Sequence, residues 1–487
     1  HSDLRRQRQM CIRDSRRVMS IQNENDVSTI DSTKEDSINN LFGLTSEVET
    51  EIKFCIKNNH KKRLLFLFDL LHPADQADML ERLSKDQLDN CLRLLSKRLD
   101  PETLVYLEDT VQEDVIKGIG PNAIAKALPE LNTDDEVEIL ENLQEDQRVT
   151  IIKKLPKADR ILVEEAFTYP ENSAGRLMQR EFLSFPEFWT VGQTIDHMRN
   201  KEFVEDENFY SIFIIDPGQR LLGVLSVSKL LSNKRSIRLK DIMNNNFQSV
   251  DVEIDQEEIA LLFQQYALVD LAVTDKANRI IGVIIFDDIV DVINEEAEED
   301  FFGLGGVSDG SIRTSIYKTL KDRFSWLSVN LVTAIIASMV IGLFQEEIEK
   351  IVALAVLMPI VASMGGNAGT QTVTVAVRAL ATRQLSYINL QRFVLRESWV
   401  GMFNGVLFAI FSSILAFLWF NDFQIAIIMS ASMIINLLFA GILGTLIPLS
   451  LYKFKIDPAI SSTVLLTTAT DVIGFFTFLG LAAWVIL

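Results

Sequence analysis

The sequence predicts a multi-domain membrane protein: a soluble part, α-helical and then α/β, followed by a five-helix transmembrane domain. Three observations predict it. Five long apolar stretches are confined to the last third of the chain, leucine-rich amphipathic segments recur near its start, and a strand–turn–strand pattern occurs twice between them. At 487 residues the chain exceeds one domain. Residues 1–325 are polar and charged, whereas 326–487 are mostly Leu, Ile, Val, Ala, Phe and Gly. The net charge of −20 therefore belongs to the soluble part. Such an excess excludes a nucleic-acid partner, which would call for Lys and Arg, and suits a protein that attracts cations.

The apolar stretches run at about 326–345, 351–377, 398–420, 424–450 and 458–486, each long enough to span a bilayer. Pro359 and the Gly365-Gly366-Asn367-Ala368-Gly369 cluster predict a kink or break in the second. Lys318, Lys321 and Arg323 precede the first span, Arg378, Arg383, Arg392 and Arg396 separate the second from the third, and Lys453 and Lys455 separate the fourth from the fifth. The opposite side carries Glu346, Glu347, Glu349 and Lys350, then Asn421 and Asp422. By the positive-inside rule this predicts a cytosolic N-terminus and an external C-terminus, in a multi-pass protein of the plasma or inner membrane.

Asp471 is the one ionisable side chain deep within these stretches. A carboxylate at that depth is costly unless it meets a partner, a cavity or an ion path, and an anionic group lining a cation pathway is the reading preferred here.

In the soluble part, residues 39–172 read as short amphipathic helices, with loop, cap and apolar run recurring at 70–80, 128–135 and 154–159. Recurrent helices of this size suggest a superhelical domain. Residues 1–38 read as a disordered tail; His1–Arg17 is basic but lacks the apolar core of a signal peptide, and Met19 reads as a start. Cys11, Cys55 and Cys91 have neither disulfide nor metal-finger spacing, which fits a reducing cytosol.

Residues 173–298 contain an internal repeat. Phe209–Asp216, Arg220 and Gly223 recur as Asp270–Asp275, Arg279 and Gly282, the Asp, Arg and Gly at an offset of about 59 residues. Each copy reads as strand, turn, strand and helix, and the arrangement resembles a tandem pair of CBS domains. Such pairs bind adenine nucleotides through a Ser or Thr followed three residues later by an Asp. Here the first copy has Ser226 but Lys229, and the second has Ile285 with Asp288. Both copies are incomplete, which leaves ATP doubtful as a regulatory ligand.

The second copy runs into Asp287–Asp300, with eight acids and no base. At helical spacing Asp288, Asp291, Glu295 and Glu298 or Glu299 share a face. Like charges so spaced repel unless cations compensate, and carboxylates suit Mg2+, a hard ion that keeps several waters. The bland reading is a solvated acidic face. Position favours a sensor, because this helix leads through a connecting segment, 299–325, into the first span.

From about residue 40 the chain resembles the MgtE family of magnesium channels and transporters. The resemblance rests on Tyr-Pro-Glu-Asn-Ser-Ala-Gly-Arg-Leu-Met (169–178), Phe-Asp-Asp-Ile-Val-Asp-Val (286–292), the run at 348–371 ending in Met-Gly-Gly-Asn-Ala-Gly-Thr-Gln, and Thr-Asp-Val-Ile-Gly-Phe-Phe (470–476). It implies a homodimer with a pore on the dimer axis, and it makes 299–325 a plug helix between the CBS pair and the transmembrane domain, 326–487. It further implies that Asp471, with Asn367 and Gly474, selects a hydrated ion, and that Asp255, Glu257, Asp288, Asp291, Glu296, Glu299 and Asp300 sense cytosolic Mg2+. One sensor acid of the family falls on Ala267 here. Retained waters could bridge the ion to Thr467 or Thr470. Mg2+ is then both transported and regulatory, with Co2+ a further candidate. An ion-coupled divalent-cation transporter is the alternative, although no membrane repeat or further intramembrane charge favours it. No nucleophile–base pair, Walker loop or zinc spacing points to an enzyme.

Overall fold

The computed structural model describes residues 44–95, 98–199, 209–307, 316–385 and 387–486. The predicted tail, 1–38, lies outside them, as does Cys11. The chain divides into two compact units, one ending at Gly120 and the other beginning at Pro121.

The first unit holds α1 (Ser46–Lys57), α2 (Lys61–Phe68), α3 (Pro73–Glu81), α4 (Lys85–Leu95), a 3-10 turn (Pro101–Leu104) and α5 (Asp109–Ile119). The predicted cap at 70–80 forms: Pro73 opens α3, and the His72 imidazole accepts from the Ala74 amide at 3.2 Å. Leu64, Met79, Leu80, Leu88 and Val111 are buried along the apolar faces. Gln76 is buried with them and fully engaged, donating to the Phe68 carbonyl and accepting from Thr103. Gly120, at φ 87°, ends α5 in a conformation that only glycine adopts freely.

The second unit begins with α6 (Pro121–Ala127), a 3-10 turn (Leu128–Glu130), α7 (Thr133–Glu141), α8 (Glu145–Ile152), α9 (Lys157–Ala166) and α10 (Ala174–Leu177). The division between the units thus falls inside the segment read from sequence as one helical domain.

Next come β1 (Ser184–Pro186), α11 (Val191–Met198), β2 (Ser211–Ile215), β3 (Leu221–Ser226), α12 (Val227–Ser232) and α13 (Leu239–Ile242). The pattern returns with β4 (Ser249–Asp251), α14 (Gln256–Tyr266), β5 (Asp270–Thr274), β6 (Ile280–Ile285) and α15 (Phe286–Gly305). Each copy is a three-stranded sheet, its first strand parallel and its third antiparallel to the central one. The repeat extends to backbone detail. Asp216 accepts from the amides of Gly218 and Arg220, and Asp275 likewise from Ala277 and Arg279. Gln219 and Asn278 hold left-handed backbone at equivalent turn positions, and a register shift recurs at Ile214/Ile215 and Val273/Thr274. The two sheets join at an Arg220–Arg279 bridge, where Leu221 N donates to Asn278 O at 3.0 Å.

Helix α15 continues unbroken through the acidic run, so the boundary drawn at 298/299 lies within one helix. It ends at Gly306, which is left-handed at φ 67°. Then follow α16 (Ile316–Gly342), α17 (Gln345–Lys350), α18 (Val352–Ala381), α19 (Tyr387–Phe420), α20 (Phe423–Lys453) and α21 (Pro458–Val485). Five of these, all but the short α17, are long and apolar enough to cross a membrane. Helices α18, α20 and α21 pack around Leu354, Leu357, Val361, Met429, Met433 and Phe478, all essentially buried. Small residues bring the helices close, as they must where lipid offers no hydrophobic drive to associate. A Cβ on Gly401 of α19 would sit 2.5 Å from the Leu437 carbonyl oxygen of α20, and one on Gly441 would sit 2.6 Å from that of Glu397.

Of the kink or break expected in the second span, a break is absent: α18 runs from Val352 to Ala381 through Pro359 and the glycine cluster. The glycines serve packing instead, Gly365 against Asn436 and Gly369 against Leu466. Burial between neighbouring helices holds the backbone helical where propensity alone would interrupt it.

Candidate functional site

Asp471 lies half-buried on α21, one turn beyond Thr467. Among the described residues it has neither a hydrogen bond nor an ion pair. Helix α18 passes beside this stretch, since a Cβ on Gly366 would lie 3.9 Å from the Thr467 methyl. The next residue, Asn367, is exposed, its Nδ2 3.4 Å from the Ser363 hydroxyl. Thr467 thus meets α18 next to Asn367, and Asp471 lies one turn further along α21, so the polar seam has its exposed edge at Asn367.

Thr470 and Gly474 face the other way. Thr470 is fully buried, and its hydroxyl is spent on the Leu466 and Thr467 carbonyls, both at 3.0 Å. Gly474 is buried against Asn436 of α20. Sequence reading missed the extent of the polar seam. Ser363, Asn367, Thr370, Gln371 and Thr374 form a helical stripe on α18, and Ser363, Asn367, Gln371 and Thr374 are exposed. The signal was their i, i+4, i+7, i+8, i+11 spacing in an otherwise apolar helix.

The acidic residues fall into two clusters. In the first, Asp288 meets Asp134 of α7, a residue the sequence did not single out. Asp134 is buried, and Oδ2 of Asp288 is buried with no hydrogen-bond donor among the described residues. Burial and the Asp287 and Asp135 charges push the Asp288 carboxyl up to about 7. Burial and then the Asp288 charge hold Asp134 well above the ordinary range. Nearby Glu136 is pushed up to about 7 by burial and by the charges of Asp159 and Glu181. Glu181 itself is held by the Thr133 hydroxyl at 2.6 Å and the Thr133 amide.

The second cluster joins α14, α15 and the start of α21. Glu257 is raised by burial and then by Glu296, Asp255 and Asp300. Asp300 is raised by burial and then by Asp457 and Glu299. Asp255 caps α14, accepting from the Glu257 amide at 2.9 Å, and Glu296 accepts from Gln256 at 2.9 Å. Asp457, also unanticipated, caps α21 through the Ala459 amide at 2.7 Å. An Asp-Pro pair before an apolar run was its signal. Beside the cluster, Arg383 of the α18–α19 connection pairs with Glu258 at 2.6 Å. Asp291 belongs to neither group: burial raises it, and then Asp287. Ala267 contributes no acid and holds left-handed backbone at φ 50°.

Among the described residues, no three His, Cys, Asp or Glu side chains converge tightly enough to hold a metal ion. The clusters are instead charge concentrations that a hydrated cation would relieve. The CBS-like pair also contains a cleft of about 320 Å3 lined by Phe213, Val224, Asn244, Phe247, Tyr266 and Asp270. Ser226 lies outside it and caps α12, accepting from the Lys229 amide.

Fold and site together define a polytopic membrane protein with a polar seam among its apolar helices and an acidic, repeat-built module before them. Comparison with known proteins makes this specific. Residues 358–481 match the family profile of MgtE, a divalent cation transporter, residues 71–172 the MgtE intracellular N domain, and residues 174–235 and 239–295 the CBS domain. The chain is 28% identical over 419 residues to a magnesium transporter MgtE of Bacillus subtilis, covering 85% of this chain and 92% of that protein. It is 28% identical over 450 residues to one of Thermus thermophilus, covering 90% and 98%. A solved cytosolic domain of the Mg2+ channel MgtE in complex with ATP is 28% identical, covering 50% of this chain and 99% of that one, with a TM-score of 0.47. Over these segments the chain is similar to the MgtE family, from the intracellular N domain through the CBS pair to the membrane domain.

Proposed function

We propose that this protein is a Mg2+-selective channel for magnesium uptake, gated closed by cytosolic Mg2+. Magnesium transport is the function named for its relatives. The observation that carries the reading is Asp471: a half-buried carboxylate without a partner among the described residues, one turn from Thr467, where α21 passes the α18 segment bearing the exposed Asn367. A second copy related by two-fold symmetry would face this seam with its own Asp471, so the pore lies on the axis of a homodimer. Mg2+ sheds water reluctantly, and a polar path accepting a hydrated ion costs less than a tight cage. Thr470 and Gly474, being buried, support the path from behind.

When cytosolic Mg2+ is high, cations at the two acidic clusters hold α7, α14, α15 and the cytosolic end of α21 together. When it falls, repulsion loosens them. Asp255, Glu257, Asp288, Glu296, Glu299 and Asp300 serve this sensor, with Asp134 and Asp457 added and Asp291 peripheral. The reading places the N-terminus in the cytosol of a plasma or inner membrane and makes ATP a candidate ligand of the CBS cleft. Co2+ would use the same path.

Proteoliposome flux tests the proposal. Asp471→Ala is expected to lower Mg2+ flux by at least about tenfold, as loss of a buried charged ligand should. Unchanged flux and selectivity over Ca2+ would remove the pore assignment. Flux that follows membrane potential without needing a proton or sodium gradient marks a channel. Flux that requires such a gradient marks the coupled transporter.

A further inference from the structure

Asn436 of α20 is fully buried among transmembrane helices. Its Nδ2 donates to the Val361 carbonyl of α18 at 2.8 Å, while its Oδ1 is buried with no hydrogen-bond partner among the described residues. Two glycines press on the amide: a Cβ on Gly365 would lie 2.3 Å from Nδ2, and one on Gly474 of α21 would lie 2.9 Å from it. One side chain thus touches the helix bearing Asn367, two residues from it, and the helix bearing Asp471, three residues from it.

Packing alone does not call for an amide here. Leucine has nearly the same size and would leave no unpaired oxygen, and apolar replacement of a buried polar group is often neutral or favourable. A polar group kept in such a place specifies geometry. The bond to Val361 sets the depth and rotation of α18 against α20, and the glycine contacts set the spacing of both helices from α21.

We infer that Asn436 is a positioning residue of the ion path, setting the separation of Asn367 and Asp471 without touching the ion. This rests on the ion-path reading above. The hydrogen bond transmits the effect, and the glycines make it sensitive to small displacements.

The test compares Mg2+ flux, half-saturating Mg2+ and Mg2+/Ca2+ preference in proteoliposomes, with thermal unfolding in detergent measured alongside. Asn436→Leu is expected to keep its unfolding temperature yet lose about tenfold in Mg2+/Ca2+ preference, because small misplacements of binding groups carry penalties of that order. Gly365→Ala should act alike, by driving the amide off Val361. The double variant Asn436→Ala/Gly365→Ala refills the space without the hydrogen bond, so it should recover stability but not preference. Full recovery of preference in the double variant, or normal preference in Asn436→Leu, overturns the role. If Asn436→Leu does not fold, Asn436→Ser takes its place, and normal preference there likewise overturns it. Asp471→Asn separates the two failures: if it abolishes flux while the Asn436 variants behave as wild type, only this inference falls, and if it leaves flux intact, the ion path falls with it.

Discussion

Asp134 and Asp288 come from distant parts of the chain and meet where, among the described residues, neither has a cationic partner to offset the other. Burial and like charge both disfavour the ionised pair, so each carboxyl is raised, and a bound divalent ion would restore both charges at once. Asp288→Asn is therefore expected to stabilise the Mg2+-free protein by on the order of 1 kcal/mol. If the proposed sensor binds Mg2+ here, the same change should shrink the rise in unfolding temperature on adding Mg2+, because a lost ligand weakens preferential binding to the folded state. Thermal unfolding with EDTA and with excess Mg2+ checks both signs. Asp288 could be read from the sequence because it sits in a dense acidic run. Asp134 could not, since its neighbours at 130–136 look like an ordinary solvated helix start. A second residue-scale expectation concerns the thiols. Cys55 and Cys91 are buried, and burial pushes Cys91 up to about 12. In a Cys11→Ser variant at pH 8, a maleimide should leave both unlabelled until denaturant is added, because the reactive thiolate is neither formed nor accessible.

Among the elements, the membrane helices show why glycine patterns are ambiguous in sequence. Gly365 and Gly369 suggested a broken span, yet they allow α18 to stay helical while α20 and α21 approach closely. The same composition serves either end, and only the neighbouring helices decide which. Gly401 and Gly441 make the point testable, because their missing Cβ atoms would meet backbone carbonyls, which cannot swing aside as side chains do. Gly441→Ala should lower stability in detergent by about 1–3 kcal/mol, the usual range for overpacking. Gly342→Ala, with nothing within 4 Å, is the neutral control. At the end of α15, Gly306 combines left-handed backbone with a Trp326 indole where its Cβ would go. Gly306→Ala should displace Trp326, shift its fluorescence and, under the proposed gating, leave more flux at high cytosolic Mg2+.

For the molecule as a whole, the polar stripe of α18 and the seam at Asp471 remain open in the single chain, and the proposed second copy would close them. In a background with Cys11, Cys55 and Cys91 replaced, Asn367→Cys should form an oxidant-induced disulfide dimer on a non-reducing gel. Trp484→Cys, on an exposed position of α21, should not. Equal cross-linking at both positions would point to collision rather than a shared axis. The membrane spans, the duplicated strand–turn–strand unit, the acidic run and the isolated Asp471 were all legible in the residues. Hydropathy, period and charge are local quantities, and each of these features is written within a few turns of chain. The Asp134–Asp288 contact, the Asn436 bond to Val361, the inward turn of Thr470 and Gly474, and the unbroken α18 were decided by tertiary structure. Each depends on which faces of distant helices pack together, and that is settled by summing many weak contacts across the chain, not by any short stretch of it.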